Sequence, residues 1–281
     1  MESILFASDL SVQSNSAMQR ASMLAAQHQC DFSIVHVIDG SLPSSIANTL
    51  QNDVQRHLQE QIELQKVAGS KPITAEILVG KKSVEIIEFA RKQRCGLIVL
   101  GTHNVLFEDF FRGTTIEQII RMGEFPVLMV TRTPEKVYER VVIAVDFSSQ
   151  SRKAIEQAVD LCPDAEFYLI HAYEPQFKDF VLGEDFRKTN EENDTDRFER
   201  LIDDEMSSIL QKMHVAEKKI HQVIRQGNVN DVLRAAINEY KPGLLAIGTH
   251  GRSGIANALI GSVTEKLLNN PPCDILTVKA W

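Results

Sequence analysis

The sequence predicts an α/β protein built as two tandem domains, each a doubly wound, five-stranded parallel sheet. Three observations carry that prediction. The chain has 281 residues, which suits two ordinary cores better than one. It repeats itself over nearly its whole length. Within each half, short β-branched runs alternate with helical segments, the pattern of consecutive βαβ units. The repeat is read from four landmarks. Ile4-Leu5-Phe6-Ala7-Ser8-Asp9-Leu10-Ser11 returns as Val142-Ile143-Ala144-Val145-Asp146-Phe147-Ser148, with Asp9 opposite Asp146 at an offset of 137. Phe32-Ser33-Ile34-Val35-His36-Val37 matches Phe167-Tyr168-Leu169-Ile170-His171-Ala172. Leu97 to His103 matches Leu244 to His250, and Pro126 to Val130 matches Asp274 to Val278 at an offset of 148.

The elements follow in order. Strands are expected at Ile4–Ser8, Phe32–Val37, Ile73–Val79, Leu97–Leu100 and Val127–Val130. Their counterparts are Val141–Val145, Phe167–His171, His221–Arg225, Leu244–Ile247 and Ile275–Val278. Val84, Ile86, Ile87 and Ala90 recur at helical spacing, as do Ala154, Ile155, Ala158, Val159 and Leu161, placing amphipathic helices over a buried sheet. Ile46 to Val67 reads as a further covering helix. Thr131 to Lys136 is a polar stretch with a proline, which makes it the linker between domains at 1–133 and 138–281. The extra length of the second half falls in Phe177 to Arg200. There Lys188 to Asp196 has too little apolar content to pack and is expected to form a mobile excursion.

Composition narrows the function. With 43% hydrophobic and 24% charged residues, 14 Gly and 9 Pro, the chain sits at globular averages. Thirty basic against 38 acidic residues leave a net charge of −8, which disfavours nucleic acid and anionic membrane surfaces as partners. No apolar run is long enough to span a bilayer, and Met1-Glu2-Ser3-Ile4 lacks the start of a secretory signal, so a cytoplasmic location is expected. Cys30, Cys95, Cys162 and Cys273 are spread singly and read as buried, reduced thiols.

The polar repeats fall at the carboxyl ends of expected strands, where open parallel sheets bind ligands. Asp9 or Asp146 follows strand one, His36 or His171 ends strand two, and Gly101-Thr102-His103 or Gly248-Thr249-His250 follows strand four. The sharpest motif is Gly248-x2-Gly251-x9-Gly261-Ser262. Successive backbone N–H groups in a glycine loop form an anion nest, and a following helix offers its positive end to phosphate. Ser262-Val263-Thr264-Glu265 reads as a capping box that starts that helix near Gly261, with Ser262 and Thr264 hydroxyls available to phosphate. A purely structural account, in which glycines allow tight packing, suits Gly248 taken alone. The complete spacing favours anion binding. His250 touches phosphate or shapes the loop, and Arg252 is a phosphate contact or a solvated loop arginine. Asp146, preceded by Val145, binds ribose or a metal-bound water, or serves as an N-cap. His36 and His171 read as packing or hydrogen-bonding groups, since no second metal ligand lies at a suitable spacing.

On these residues both halves resemble the universal stress protein family. Gly248-Thr249-His250-Gly251, nine residues, then Gly261-Ser262 match that family's ATP-binding pattern without a gap. Asp146 matches its acidic position, and Ala172 the place where members meet adenine. The resemblance implies Rossmann-like domains, with ATP, ADP or AMP as the bound nucleotide and Mg as its companion ion. The nucleotide contacts would be Val145, Asp146, Ala172, Gly248, Thr249, His250, Gly251, Arg252, Gly261, Ser262, Val263 and Thr264. It also implies a regulatory role with an unidentified protein partner. Members often pair through the fifth strand, which a tandem chain does internally as a pseudo-dimer, with homodimerisation of the whole chain left open. An exposed apolar edge is thereby avoided. Two separate sheets joined at the fifth strands are expected, rather than one continuous mixed sheet.

The first half departs from the pattern. Gly101-Thr102-His103-Asn104 is followed by only eight residues before Gly113-Thr114, and the loop carries Phe107, Glu108, Asp109, Phe110 and Phe111. Two carboxylates repel a triphosphate, and three phenylalanines suggest packing or a contact surface. Thr114-Thr115-Ile116-Glu117 retains a capping box. ATP is therefore assigned to the second half. The competing function is a slow ATPase or another nucleotide-dependent enzyme. No GxxxxGK[ST] loop and no pair of carboxylates placed for two metals supports efficient catalysis.

Overall fold

The computed structural model describes residues 1–65, 71–102, 113–173, 191–212, 219–249 and 260–279. The first half runs β1 (Ser3–Ser8), α1 (Val12–His28), β2 (Asp31–Asp39), α2 (Ser44–Leu64), β3 (Ile73–Gly80), α3 (Lys82–Lys92), β4 (Leu97–Gly101), α4 (Thr115–Met122) and β5 (Val127–Val130). The second runs β6 (Arg140–Ala144), α5 (Ser149–Leu161), β7 (Glu166–Tyr173), α6 (Glu191–Lys212), β8 (Ile220–Gln226), α7 (Val229–Tyr240), β9 (Leu244–Gly248), α8 (Ser262–Asn269) and β10 (Asp274–Val278). All ten expected strands are present.

Alternation along each strand sorts the core into two layers. Ile4 and Phe6 of β1 and Val141 and Ile143 of β6 face α1, α2, α5 and α6, where Ala21, Leu58, Ala158 and Met206 are buried. Leu5 and Val142 face the other way, toward Ile87 of α3, Ile119 of α4, Leu233 of α7 and Leu267 of α8. Each half therefore has helices on both faces, as a doubly wound sheet requires.

In both halves the parallel strand order is 3-2-1-4-5, counted within the half. The fifth strands meet antiparallel, with Leu128 opposite Leu276, Val127 opposite Thr277 and Met129 opposite Ile275. Leu128 and Leu276 are equivalent positions of the repeat, so each pairs with its own counterpart and a pseudo-two-fold axis passes between them. The expected junction is thus present, but the two sheets do not stay separate. Ladder hydrogen bonds across β5 and β10 merge them into one ten-stranded mixed sheet. The reason is the apolar edge itself. Leu128 and Leu276 have no exposed surface, and burying such a side chain contributes about 1.5–3 kcal/mol, so the edges pair fully.

A second correction concerns the polar stretch from Lys188 to Asp196. Its first residues lie outside the described ones, but from Glu191 it is the start of α6 rather than a mobile excursion. Farther along that helix Ile202, Met206, Ile209 and Leu210 are buried, at the spacing that one helical face needs. That apolar face docks the helix, and the polar first turns continue it.

Candidate functional site

β1 and β4, like β6 and β9, are neighbours at the point where the strand order reverses, so a crevice opens beyond their carboxyl ends. The two halves build its rim alike. Asp9 Oδ1 accepts from the backbone N–H of Ser11 at 2.9 Å. Asp146 Oδ1 accepts from the backbone N–H of Ser148 at 3.0 Å and from its hydroxyl at 2.6 Å. The serine then caps the next helix, Ser11 Oγ accepting from Ser14 N and Ser148 Oγ from Ser151 N, both at 3.2 Å. Ser148, rather than Asp146, is therefore the N-cap, and Asp146 closes the turn ahead of it. Between each aspartate and its serine, Leu10 and Phe147 both adopt φ 63°. Bulky side chains rarely accept this left-handed backbone, which costs about 1–3 kcal/mol and concentrates at functional sites.

His36 and His171 tie strand two to the end of strand one. Each donates from Nδ1 to a backbone carbonyl, that of Ser8 at 2.8 Å and that of Val145 at 2.7 Å. Both are hydrogen-bonding groups, in keeping with the reading of the sequence. Burial pushes the His36 imidazole below its ordinary pKa of 6.5, against the pull of that hydrogen bond.

In the second half, the described part of the glycine motif folds back on itself. A Cβ on Gly248 would lie 2.8 Å from Gln150 Cβ and 3.1 Å from the Gln150 carbonyl carbon, so this glycine lets the first turn of α5 pack against the end of β9. Thr249, 2% exposed, donates its backbone N–H to Val278 O at 2.9 Å and accepts from Gly261 N at 2.7 Å. Its hydroxyl donates to Gln150 Oε1 at 3.4 Å. Thr264 is also 2% exposed, and its hydroxyl donates to Gly248 O at 2.9 Å, so it holds α8 against β9 instead of reaching for phosphate. The expected capping box around Ser262 does not form. The N-cap is Gly261, which has no side chain to accept, and Ser262 is the first helical residue with an exposed hydroxyl. Gly261 has φ −59° and so is not needed for a left-handed backbone.

The structure thus brings Asp146, Gly248, Thr249, Gly261 and Thr264 together around the ends of β6 and β9. Val145 stands beside them with its N–H donated to Ile170 O at 2.9 Å, and Ala172 lies near the end of the adjoining β7. Ser262 and Val263 open α8. His250, Gly251 and Arg252 lie outside the described residues, as does the Phe107 to Phe111 stretch of the first half. Gln150 was missed in the sequence, because a glutamine in the first turn of a helix carries no local signal. Ser11 and Ser148 had one in the repeated Asp-x-Ser.

The first-half crevice differs at the same helix start. Thr114 Oγ1 accepts from Glu117 N at 3.1 Å, the first half of the expected capping box, and Glu117 Oε2 reaches back to accept from Gly113 N, the residue before the cap. Glu117 is 5% exposed and paired with Arg121 at 2.7 Å. The N-cap of α8, Gly261, makes no side-chain cap hydrogen bond, whereas that of α4, Thr114, does; both helices carry an acidic residue in the first turn, Glu265 and Glu117. Beside the start of α4 lies a cavity of 380 Å³.

A model of the Universal stress protein family matches residues 1–131 and again 137–279. A universal stress protein of Methanocaldococcus jannaschii is 29% identical over 157 residues, covering 53% of this chain and 87% of that one. Universal stress protein E of Escherichia coli is 22% identical over 201 residues, covering 65% of this chain and 62% of that one, less than two thirds of the relative's length. The crystal structure of a universal stress protein from Archaeoglobus fulgidus superposes with a TM-score of 0.72 at 19% identity, covering 99% of this chain and 98% of that one, which speaks for the fold.

Proposed function

The chain belongs to the universal stress protein family, and on that premise we propose that it is a cytoplasmic nucleotide-binding regulator whose second half holds an adenine nucleotide. Occupancy of that site biases conformation or assembly and so reaches a regulatory protein partner. The observation that carries the reading is the asymmetry between two equivalent helix starts. At Gly261 the N-cap of helix Ser262–Asn269 makes no side-chain cap hydrogen bond and Ser262 is exposed, whereas at Thr114 the threonine hydroxyl caps the helix and Glu117 reaches back to Gly113 N. A helix start whose N-cap has no side chain attracts phosphate through its free N–H groups and its dipole. Asp146, across the crevice, suits ribose hydroxyls or the water shell of a Mg ion. Among the described residues no helix is long and apolar enough to cross a membrane.

Calorimetry of the whole chain with ATP, ADP and AMP, with and without Mg, tests the proposal. One equivalent of nucleotide is expected. Gly261→Asp places a side chain and a negative charge where backbone amides face phosphate, and should abolish binding. Gly113→Asp should leave the affinity unchanged. Two equivalent sites, or retention of binding in Gly261→Asp, contradicts the reading.

A further inference from the structure

The junction that merges the two sheets also brings a helix end from each half to the crevice of the other. The 380 Å³ cavity of the first half is lined in part by Leu268 and Asn269, the last two residues of α8. Antiparallel pairing is the cause. The start of β10 lies beside the end of β5, so the helix that leads into β10 finishes at the neighbouring crevice. The pseudo-two-fold demands the same in reverse, and Gly123, the C-cap of α4, meets that demand. A Cβ placed on it would overlap Lys279 Cδ and lie 3.0 Å from Nζ. Lys279 directly follows Val278, whose carbonyl accepts from Thr249 N at 2.9 Å at the rim of the second crevice. The last turn of α4 therefore stands beside the second crevice, as that of α8 stands beside the first.

Within that turn the repeat fixes the counterparts. Glu117 matches Glu265 and Leu128 matches Leu276 at an offset of 148, and the same offset sets Ile120 opposite Leu268 and Arg121 opposite Asn269. The two halves thus exchange unlike residues. The first crevice, whose glycine motif is interrupted, receives an asparagine, and the second, whose motif is complete, receives an arginine. On the reading that the second half binds nucleotide, we propose that Arg121 completes that site from across the junction, its guanidinium contacting the phosphate groups.

Place and chemistry agree. The cavity that Asn269 lines also has Thr102 and Thr114 in its wall, and their counterparts in the repeat, Thr249 and Ser262, adjoin Gly261, where the helix start is offered to phosphate. A guanidinium stays charged at any working pH, and its planar fork matches two phosphate oxygens at once. Arg121 Nη2 is held 2.7 Å from Glu117 Oε1, and 36% of the side chain is exposed. Glu117 steadies the guanidinium on the last turn, and an anion reaches it from solvent without opening the helix. Because Arg121 belongs to the first half and Gly261 to the second, the complete site exists only in the joined chain.

Calorimetry of the full-length chain with ATP tests this, beside a ligand-observed NMR titration with adenosine, which lacks phosphate. Arg121→Gln removes the charge and keeps an N–H donor for Glu117. It should bind ATP at least about tenfold more weakly than the wild type, with the affinity for adenosine unchanged. Arg121→Lys should recover part of the ATP affinity, since the charge remains and the fork is lost. Arg56→Gln, at an exposed arginine of α2 paired with Asp53, controls for net charge and should bind ATP as the wild type does. If Arg121→Gln melts early, the double variant Glu117→Gln, Arg121→Gln, which strands no carboxylate, replaces it. Equal ATP affinity in the wild type and Arg121→Gln overturns the proposal, as does an equal loss for ATP and adenosine. Absence of ATP binding in the wild type overturns instead the nucleotide reading beneath it.

Discussion

Replacing Asp274 should be among the most damaging changes in the chain. Asp274 is 1% exposed at the start of β10 and gathers groups from both halves. Its Oδ1 accepts from Thr131 N at 2.8 Å and Thr131 Oγ1 at 3.0 Å, and its Oδ2 from Tyr138 Oη at 2.7 Å. Arg20 Nε of α1 stands 3.5 Å from Oδ2, an ion pair without hydrogen-bond geometry, and the guanidinium lies 3.9 Å over the Tyr138 ring. Burial, and then the Asp274 charge, hold the Tyr138 phenol well above its ordinary pKa, so it stays a donor. Asp274→Ala leaves the Arg20 guanidinium, itself 7% exposed, without its counter-charge, together with three orphaned donors. Breaking a buried pair by removing one partner costs about 3–5 kcal/mol, and against a total stability of roughly 5–15 kcal/mol this decides whether the chain stays folded. Asp274→Asn keeps an acceptor and should cost less. Urea unfolding of the wild type, Asp274→Ala, Arg20→Met and the double variant measures it. Because Arg20→Met removes the stranded charge, the double variant should be less destabilised than the sum of the singles by about 0.5–3 kcal/mol. Additive losses, or a loss below about 1 kcal/mol for Asp274→Ala, would falsify this account of the junction.

Other outcomes follow from the same geometry. Gly248→Ala should destabilise by about 1–3 kcal/mol in thermal unfolding, because its Cβ meets the backbone of Gln150 at 3.1 Å and that backbone cannot move without shifting α5. Nucleotide at about 100 times Kd should add roughly 2.7 kcal/mol and raise the melting temperature of the wild type but not of Gly261→Asp. Turnover should stay far below the median enzyme rate of about 10 per second. Phosphate release at ordinary rates that disappears in Asp146→Asn would move the protein into the enzymes. Burial pushes the Cys162 and Cys273 thiols from an ordinary 9.0 up to about 12. Stability should therefore be untouched by them below about pH 9 and fall as pH rises toward 12, where the unfolded chain ionises and the folded one does not. An alkaline stability profile that is flat above pH 9 contradicts this.

The repeat, the ten strands and the doubly wound class of each half were legible in the chain because strands and helices alternate as local patterns. Ile4 to Ser8 or Leu244 to Ile247 is a short apolar run whose burial on both faces leaves little choice of conformation. Asp-x-Ser at both crevice rims is also local, yet the sequence reading offered the cap to Asp146 where the structure gives it to Ser148. The reading was weaker wherever a side chain had a choice of partners. Thr264 read as a phosphate donor, yet Gly248 O lies within reach once α8 packs on β9. Ser262 read as a cap, yet the helix begins one residue sooner.

What tertiary structure alone decided has one physical reason: the deciding contacts join residues far apart in the chain, where periodicity carries no information. Whether two apolar edges would merely adjoin or share a hydrogen-bond ladder depended on the register of Leu128 against Leu276. The Arg20, Tyr138 and Asp274 cluster assembles only when α1, the segment leading into β6 and β10 converge. The first-half cavity, walled by Leu268 of the second half, exists because the pseudo-two-fold carries α8 across the junction. Sequence by itself determined that each half would be a doubly wound sheet with a crevice at its switch point, and the packing of one half on the other determined that Leu268 stands in the wall of the first crevice.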